Sequence, residues 1–465
     1  MTYASPVLIG YDYWRQRRDQ RNEAVHWDPQ KLANHHIGVS GTSGAGKTHW
    51  IREFVEGQSD DVEIDIFDYH GDIEVPGAQT VLFSETTQYG YNPLVLNPDP
   101  HYGGVRRAIN DVITAIGKTS RQLGTNQEAV LRNLLLDAYA LKGISPSNPA
   151  TWYRREATDA QIQQLIERQD WAGLREVYPT LQDVTTLARR KLKALWMGIE
   201  DKDEGRQVLT AFDEFCRVMA SLNQRRMKNA SQASSDMELA QLESKLGSIK
   251  TKALEGFTTF LERMQSGREF DEVVKYNSKD VLLSIITRLE NLQATGLFNS
   301  NPPPFGNARI RRYNIKPLAQ SEDELLMFVH FRLQAIIREE MQRGESGGRL
   351  RRLVVLDECK LFNDETRDNP INIIANQMRK FGLALLQAGQ SPAHMSEDFL
   401  ASAGTLLLLN MSPTHWDGAA RKLKIDPKML RFMQPQQTGA VRLTEKGEIP
   451  MFRQVSFNER PTFRT

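Results

Sequence analysis

At 465 residues the chain can bury one large core or roughly two or three ordinary ones, so a catalytic domain carrying a substantial insertion is expected. Its 59 Lys and Arg residues balance 58 Asp and Glu, which excludes a whole-chain electrostatic attraction to DNA, RNA or an anionic membrane; any such binding must be local. Cys216 and Cys359 are the only cysteines, which argues against a disulfide framework or zinc site and fits a reducing cytoplasm, and the sequence contains neither a signal-like N-terminus nor a run of about twenty apolar residues.

In chain order, HIGVSGTSGAGK reads as a short apolar strand entering a glycine-rich turn, followed by the helix-compatible THWIREFVEG. Residues 62–67 and 80–83 are rich in β-branched and aromatic side chains and bounded by turn-formers, predicting two further strands. From Val105 to about Leu297 the pattern changes to long helical stretches joined by polar linkers such as NASQASSDMELAQ. After the proline-rich SNPPPFG, ARIRRYNI reads as a strand and Glu324 to Met341 as a helix. Residues 353–356, 383–386 and 406–409 are apolar runs suited to parallel strands buried on both faces, and 439–456 resembles a hairpin around EKGE. The expected organisation is an α/β core of residues 1–103 and 300–465, with a mostly parallel sheet, interrupted by an all-helical insertion at 104–299.

Gly41-Thr42-Ser43-Gly44-Ala45-Gly46-Lys47-Thr48 satisfies GxxxxGK[ST] between a predicted strand and helix, the setting of a phosphate-binding P-loop. Glycines let backbone N–H groups turn inward around phosphate oxygens, and the helix N-terminus favours negative charge. Lys47 is placed to reach the β- and γ-phosphates of ATP, and Thr48 to put its hydroxyl on Mg²⁺. A turn that merely caps a helix is the alternative, and the strand-to-helix setting argues against it.

The apolar strand Leu353 to Leu356 ends in Asp357-Glu358, where the first carboxylate can support Mg²⁺ and the second can polarise an attacking water. Gln390 should emerge at the carboxyl end of another strand, where doubly wound sheets bind ligands; taken alone, it reads more readily as a solvated loop glutamine. Arg379, in QMRKFG, could reach a neighbouring subunit's nucleotide as an arginine finger, or be plain surface charge. Basic clusters at Arg15–Arg18, Arg225–Lys228 and Arg349–Arg352 are candidate nucleic-acid contacts or solvated faces. The histidines show no metal-ligand spacing.

Five blocks in order, GTSGAGKT, FDYHGD, YNPL, LVVLDECK and RKFGLALLQAGQSP, resemble the HerA/FtsK superfamily, which includes conjugation ATPases and type IV secretion coupling proteins. The resemblance is strongest to the HerA-like branch. It implies a RecA-like core, a homo-hexameric ring and translocation of DNA through the pore by ATP hydrolysis. It also implies that Glu358 is catalytic, Gln390 a sensor and Arg379 the finger. Asp68 in FDYHGD falls where the superfamily carries an acidic segment near the nucleotide, and reads equally as a turn-forming aspartate.

Full HerA proteins carry a β-barrel ahead of the ATPase, for which the 40 residues before Gly41 leave no room, and FtsK and the coupling proteins carry transmembrane segments that the sequence lacks. The expectation is therefore a soluble, cytoplasmic DNA translocase or helicase subunit, with the helical insertion available to a nuclease or other effector in DNA processing, phage defence or DNA transfer. The alternatives are an ATPase energising type IV-like export of protein or DNA–protein, and a nucleotide-regulated scaffold for a partner enzyme.

Overall fold

The computed structural model describes residues 6–101, 103–117, 123–197, 203–229, 236–263, 275–276, 278–363 and 369–458. The described residues divide into two units, one comprising the chain up to Tyr91 and from Thr295 onward, the other running from Asn92 to Ala294.

The first unit is built on eleven strands: β1 (Val7–Asp12), β2 (Ala24–Trp27), β3 (Ile37–Ser40), β4 (Glu63–Asp68), β5 (Gln79–Leu82), β6 (Ile310–Asn314), β7 (Arg352–Leu356), β8 (Leu383–Gly389), β9 (Thr405–Leu408), β10 (Thr438–Leu443) and β11 (Phe452–Ser456). They form one sheet in the order β2-β1-β11-β10-β9-β3-β8-β7-β4-β6-β5. Every pairing from β9 to β5 is parallel, whereas β10, β11, β1 and β2 add antiparallel at one edge. β3, β7, β8 and β9 are buried at every position, as their unbroken apolar runs require of strands covered on both faces. This is the α/β, RecA-like core that the motifs imply. The β10–β11 hairpin is the one expected around EKGE, whereas the addition of β1 and β2 to it was not legible locally: Tyr11 of β1 pairs with Ser456 of β11, and Trp27 of β2 packs edge-on against Phe54 at 5.2 Å.

The sheet's two faces differ in chemistry because successive side chains on a strand point opposite ways. Ile64 and Ile66 of β4, Ile310 of β6 and Leu353 and Val355 of β7 join one apolar core with Ile51, Phe54 and Val55 of the helix Lys47–Glu56. The alternate positions, Glu63, Asp65, Arg311, Tyr313 and Arg352, form an ion-pair network with Arg332, Glu339 and Glu340 of the helix Glu322–Gln342. Arg352 and Asp65 are completely buried and meet at 2.7 Å. Arg352 is thus occupied within the fold, and Arg351 donates to the carbonyls of Gly344 and Glu345, so two members of the Arg349–Arg352 cluster serve the structure. The side chains of Arg225–Lys228 lie outside the described residues.

The second unit is helical over its described residues, apart from a β-bridge between Arg155 and Val177. Its helix Lys279–Ala294 is tied to the helix Leu181–Met197 by Arg189–Glu290 at 2.8 Å and by Gln293 donating to the Thr185 hydroxyl at 2.7 Å. The helices Asp203–Asn229 and Asp236–Arg263 share a small core of Val218, Leu222, Leu246 and Ile249. No helix among the described residues is long and apolar enough to cross a membrane.

Removing one member of a buried ion network strands the others, so Arg352→Ala should cost about 3–5 kcal/mol, read as a lowered urea midpoint. Acid should have a related effect. Burial pushes the Glu339 carboxyl up, but Arg332 and Arg352 outweigh it and hold the group at about 2 against an ordinary 4.5. Burial likewise opposes ionised Asp65, which Arg352, Arg311 and Arg332 keep below its ordinary 3.8. A carboxylate depressed by folding contributes fully above its unfolded pKa and is lost as pH falls through the folded one. Thermal unfolding followed by circular dichroism should therefore show a midpoint that drops as pH falls from 4.5 towards 2.

Candidate active site

β9, β3, β8, β7 and β4 are consecutive parallel neighbours, so the segments leaving their carboxyl ends converge on one edge. The register aligns Ser40 with both Leu408 and Gly389, Leu356 with Gln387, and Phe67 with Leu356. Four motifs that are distant in sequence therefore emerge side by side: the P-loop after β3, Gln390 after β8, Asp357-Glu358 after β7 and FDYHGD at the end of β4.

The P-loop is held from both flanks. The Gly41 N–H donates to the Gly389 carbonyl at 3.0 Å, and the Thr42 N–H and hydroxyl donate to the Asn410 carbonyl at 2.8 and 3.1 Å. Gln436, itself left-handed at φ 58°, donates its N–H to Ala45 O at 3.3 Å and its side-chain amide to Gly44 O at 3.3 Å. The following helix starts at Lys47 with no side chain capping it, which leaves first-turn N–H groups for a ligand. Gly46 sits at φ 100°, where a Cβ would meet the Gln436 Cγ at 3.3 Å. The Lys47 ammonium donates to the carbonyls of Gly41 and Thr42 at 2.7 and 3.0 Å. Burial lowers its pKa, against the pull of Asp357, Glu358 and Asp72 nearby. Ser43 and Gly44 are exposed at the loop's tip, and Thr48 is half-buried on the first helical turn. A cavity of about 440 Å³ opens beside this helix, lined by Ala45, Gly46, Trp50, Leu409, Gln436 and Phe457 among others.

Asp357 is almost fully buried, with one oxygen accepting the Glu358 N–H at 3.1 Å and the other, Oδ2, having no hydrogen-bond partner among the described residues. Burial pushes its carboxyl up to about 6; His70 acts against this, and Asp68, Asp72 and Glu358 reinforce it. Glu358 adopts a left-handed backbone, φ 55° and ψ 54°, a conformation costing a non-glycine residue about 1 kcal/mol or more. Gln390 Nε2 lies 3.5 Å from one Glu358 oxygen and His70 Nε2 lies 3.6 Å from the other.

Arg379 is not in this cluster. It lies exposed on the turn Met378–Phe381 that precedes β8, at the opposite end of that strand from Gln390. Seven extended residues separate the two ends by roughly 20 Å. His70, Asp72 and Gln436 also line the site. The first two lie inside the FDYHGD motif, where nothing local marks their chemistry, and Gln436 carries no local signal because its role is to touch a loop 392 positions away.

A phosphate loop facing two strand-end acids on a parallel sheet defines the class: the chain is a P-loop ATPase with a RecA-like core. Residues 18–336, more than half of the sequence, match the family described as the helicase HerA central domain, and the chain belongs to that family. Among solved structures it is similar to VirB4 of Thermoanaerobacter pseudethanolicus, with a TM-score of 0.55 and 14% identity over 98% of this chain and 97% of that one. It is also similar to the bacterial conjugative coupling protein TrwBdeltaN70, with a TM-score of 0.45 and 11% identity over 99% of this chain and 96% of that one. A search of curated protein sequences returns no match.

The left-handed turn makes the P-loop sensitive to a single methyl group. Gly46→Ala should cost the loop about 1–2 kcal/mol, weakening equilibrium binding of a fluorescent ADP about tenfold or more while leaving the helical content unchanged.

Proposed function

We propose that this chain is the motor subunit of a homo-hexameric ring that couples ATP hydrolysis to the translocation of DNA. The observation that carries the ring is the separation within β8: Gln390 lies beside the chain's own Glu358, while Arg379 is exposed roughly 20 Å away at the strand's other end. A guanidinium so placed cannot serve its own nucleotide and is available to a neighbour's. Head-to-tail contact is the symmetry that brings one subunit's arginine to the next subunit's phosphate and closes a ring.

Within the site, the backbone of residues 41–48 receives the phosphates. Lys47 exchanges its two carbonyl partners for phosphate oxygens, a stronger pairing for an ammonium group. The neighbouring cavity of about 440 Å³ is of a size to take the nucleoside. The residues present fit Mg²⁺: the buried Asp357 Oδ2 has no hydrogen-bond partner among the described residues, and its carboxyl is pushed to about 6, chiefly by burial. Thr48 and Asp357 would hold the ion, which would supply positive charge to offset that of the phosphates. Glu358, with Gln390 on one oxygen and His70 on the other, is positioned to take the proton of an attacking water.

DNA as the substrate is supported by membership of the HerA helicase family. With a net charge of +1, each chain adds little attraction alone, but a ring repeats any basic pore residue in every subunit. A nuclease or other effector would dock on the helical unit, which exposes Tyr153 and Trp171 at 73% and 61%.

Glu358→Gln should lower kcat for ATP by about 10²–10⁴-fold with nucleotide binding retained, measured by steady-state turnover and equilibrium binding. Mixing Arg379→Ala with Lys47→Ala subunits should restore part of the lost activity, because the second supplies the arginine that the first lacks; no recovery at any ratio would count against the ring. Turnover should rise with added DNA. Turnover indifferent to DNA but raised by a protein substrate would instead favour an export ATPase.

A further inference from the structure

The loop that follows β4, residues 69–73, brings a second side chain, Asp72, to the site along with His70. Its conformation is set by Asp68, whose carboxylate is fully buried and fully engaged. Oδ1 accepts the N–H groups of Gly71 and Asp72 at 2.7 and 3.3 Å; Oδ2 accepts the N–H of Ile73 at 3.0 Å and pairs with Arg312 at 2.7 Å. Gly71, at φ 75°, supplies the left-handed turn that lets three successive N–H groups converge on one side chain. With its charge met by Arg312 and its oxygens occupied, Asp68 is a support for the loop and has little left to offer a ligand.

The same turn carries Asp72 back over the sheet edge. A carboxylate oxygen from each of Asp68, Asp72 and Asp357 lies within 4.8 Å of the other two. Setting Asp68 aside leaves two acids from different strand ends facing one another. Asp357 contributes a buried oxygen with no hydrogen-bond partner among the described residues, and Asp72 contributes an exposed carboxylate free to adjust. The nearby Lys47 ammonium is engaged with the Gly41 and Thr42 carbonyls. Two like charges at this separation repel, and a hard divalent cation reverses the sign of the interaction. Mg²⁺ sites commonly combine one or two carboxylates with phosphate oxygens and waters, which matches this supply.

Building on the ATP–Mg²⁺ reading, we propose that Asp72 is a second carboxylate of the divalent-cation site, so that the ion is held from the ends of both β7 and β4. The Asp68–Arg312 pair then acts as a positioning element for it. Selectivity for the metal-bound nucleotide becomes a property of the FDYHGD loop as well as of Thr48 and Asp357.

The test is Mn²⁺ binding to the full-length protein with ADP, read from the electron paramagnetic resonance signal of free Mn²⁺, beside binding of fluorescent ADP in EDTA. Asp72→Asn should weaken Mn²⁺ about tenfold or more and leave metal-free ADP affinity unchanged, with Asp72→Glu recovering part of the loss. Asp357→Asn serves as the reference. Unchanged Mn²⁺ affinity in Asp357→Asn sinks the underlying metal-site reading; a loss there with none in Asp72→Asn sinks only the role of Asp72. An equal loss of metal-free ADP binding in Asp72→Asn also overturns the proposal, because the residue would then be supporting the P-loop instead.

Discussion

Parallel pairing across β9-β3-β8-β7-β4 is the constraint on which the rest of the molecule depends. Hydrogen bonding in this order and direction forces five carboxyl ends, drawn from residues 40 to 408, onto one edge of the sheet. Parallel neighbours cannot be joined by tight turns, so each connection must cross the sheet and return, and the long crossovers are where helices accumulate. The passage from β5 to β6 is the longest and contains the helical unit. The antiparallel edge contributes differently. There β10 and β11 bring Gln436 and Phe457 beside the P-loop helix, and β1 and β2 extend the same edge from the other end of the chain.

The two faces of this sheet are held by different forces. On the P-loop side, aliphatic residues from β3, β4, β7 and β8 pack with the helix Lys47–Glu56, so the helix that carries Lys47 is fixed by burial of apolar surface. On the other side β4, β6 and β7 contribute acids and arginines that neutralise one another beneath the helix Glu322–Gln342. Such a network adds little net stability compared with an apolar core, but it tolerates few alternative arrangements because every mispaired charge is costly. A sheet whose register decides where the strand-end acids emerge gains most from that intolerance. Arg312 extends the same chemistry to the site side, where it fixes Asp68 and through it the loop bearing His70 and Asp72.

Strain collects where chemistry is expected. Glu358 and Gln436 are both left-handed without being glycine; one carries the strand-end acid and the other braces the loop that faces it. Neither conformation is favourable in isolation, and each survives because its surroundings over-determine it. The Asp357 oxygen that has no hydrogen-bond partner among the described residues belongs to the same pattern, since leaving a buried acceptor unmet is costly.

The sequence by itself determined the class of the protein, because a phosphate loop is a local object. Eight consecutive residues from Gly41 to Thr48 carry their own turn, their own N–H groups and their own lysine, and the unbroken apolar runs before Asp357 and Gln390 mark strands buried on both faces. Only the tertiary structure decided which strands are neighbours. Strand order puts Gln390 between the P-loop and Glu358 and buries Arg352, which composition alone could not tell from a surface charge. It also gave Asp68 and Asp72 their opposite fates. Four residues apart in one motif, the first is consumed by Arg312 and by the N–H groups of its own loop, and the second is left facing Asp357. The reason is physical: pairing between strands hundreds of residues apart depends on burial and register summed over the whole sheet, and no local stretch of sequence contains that sum.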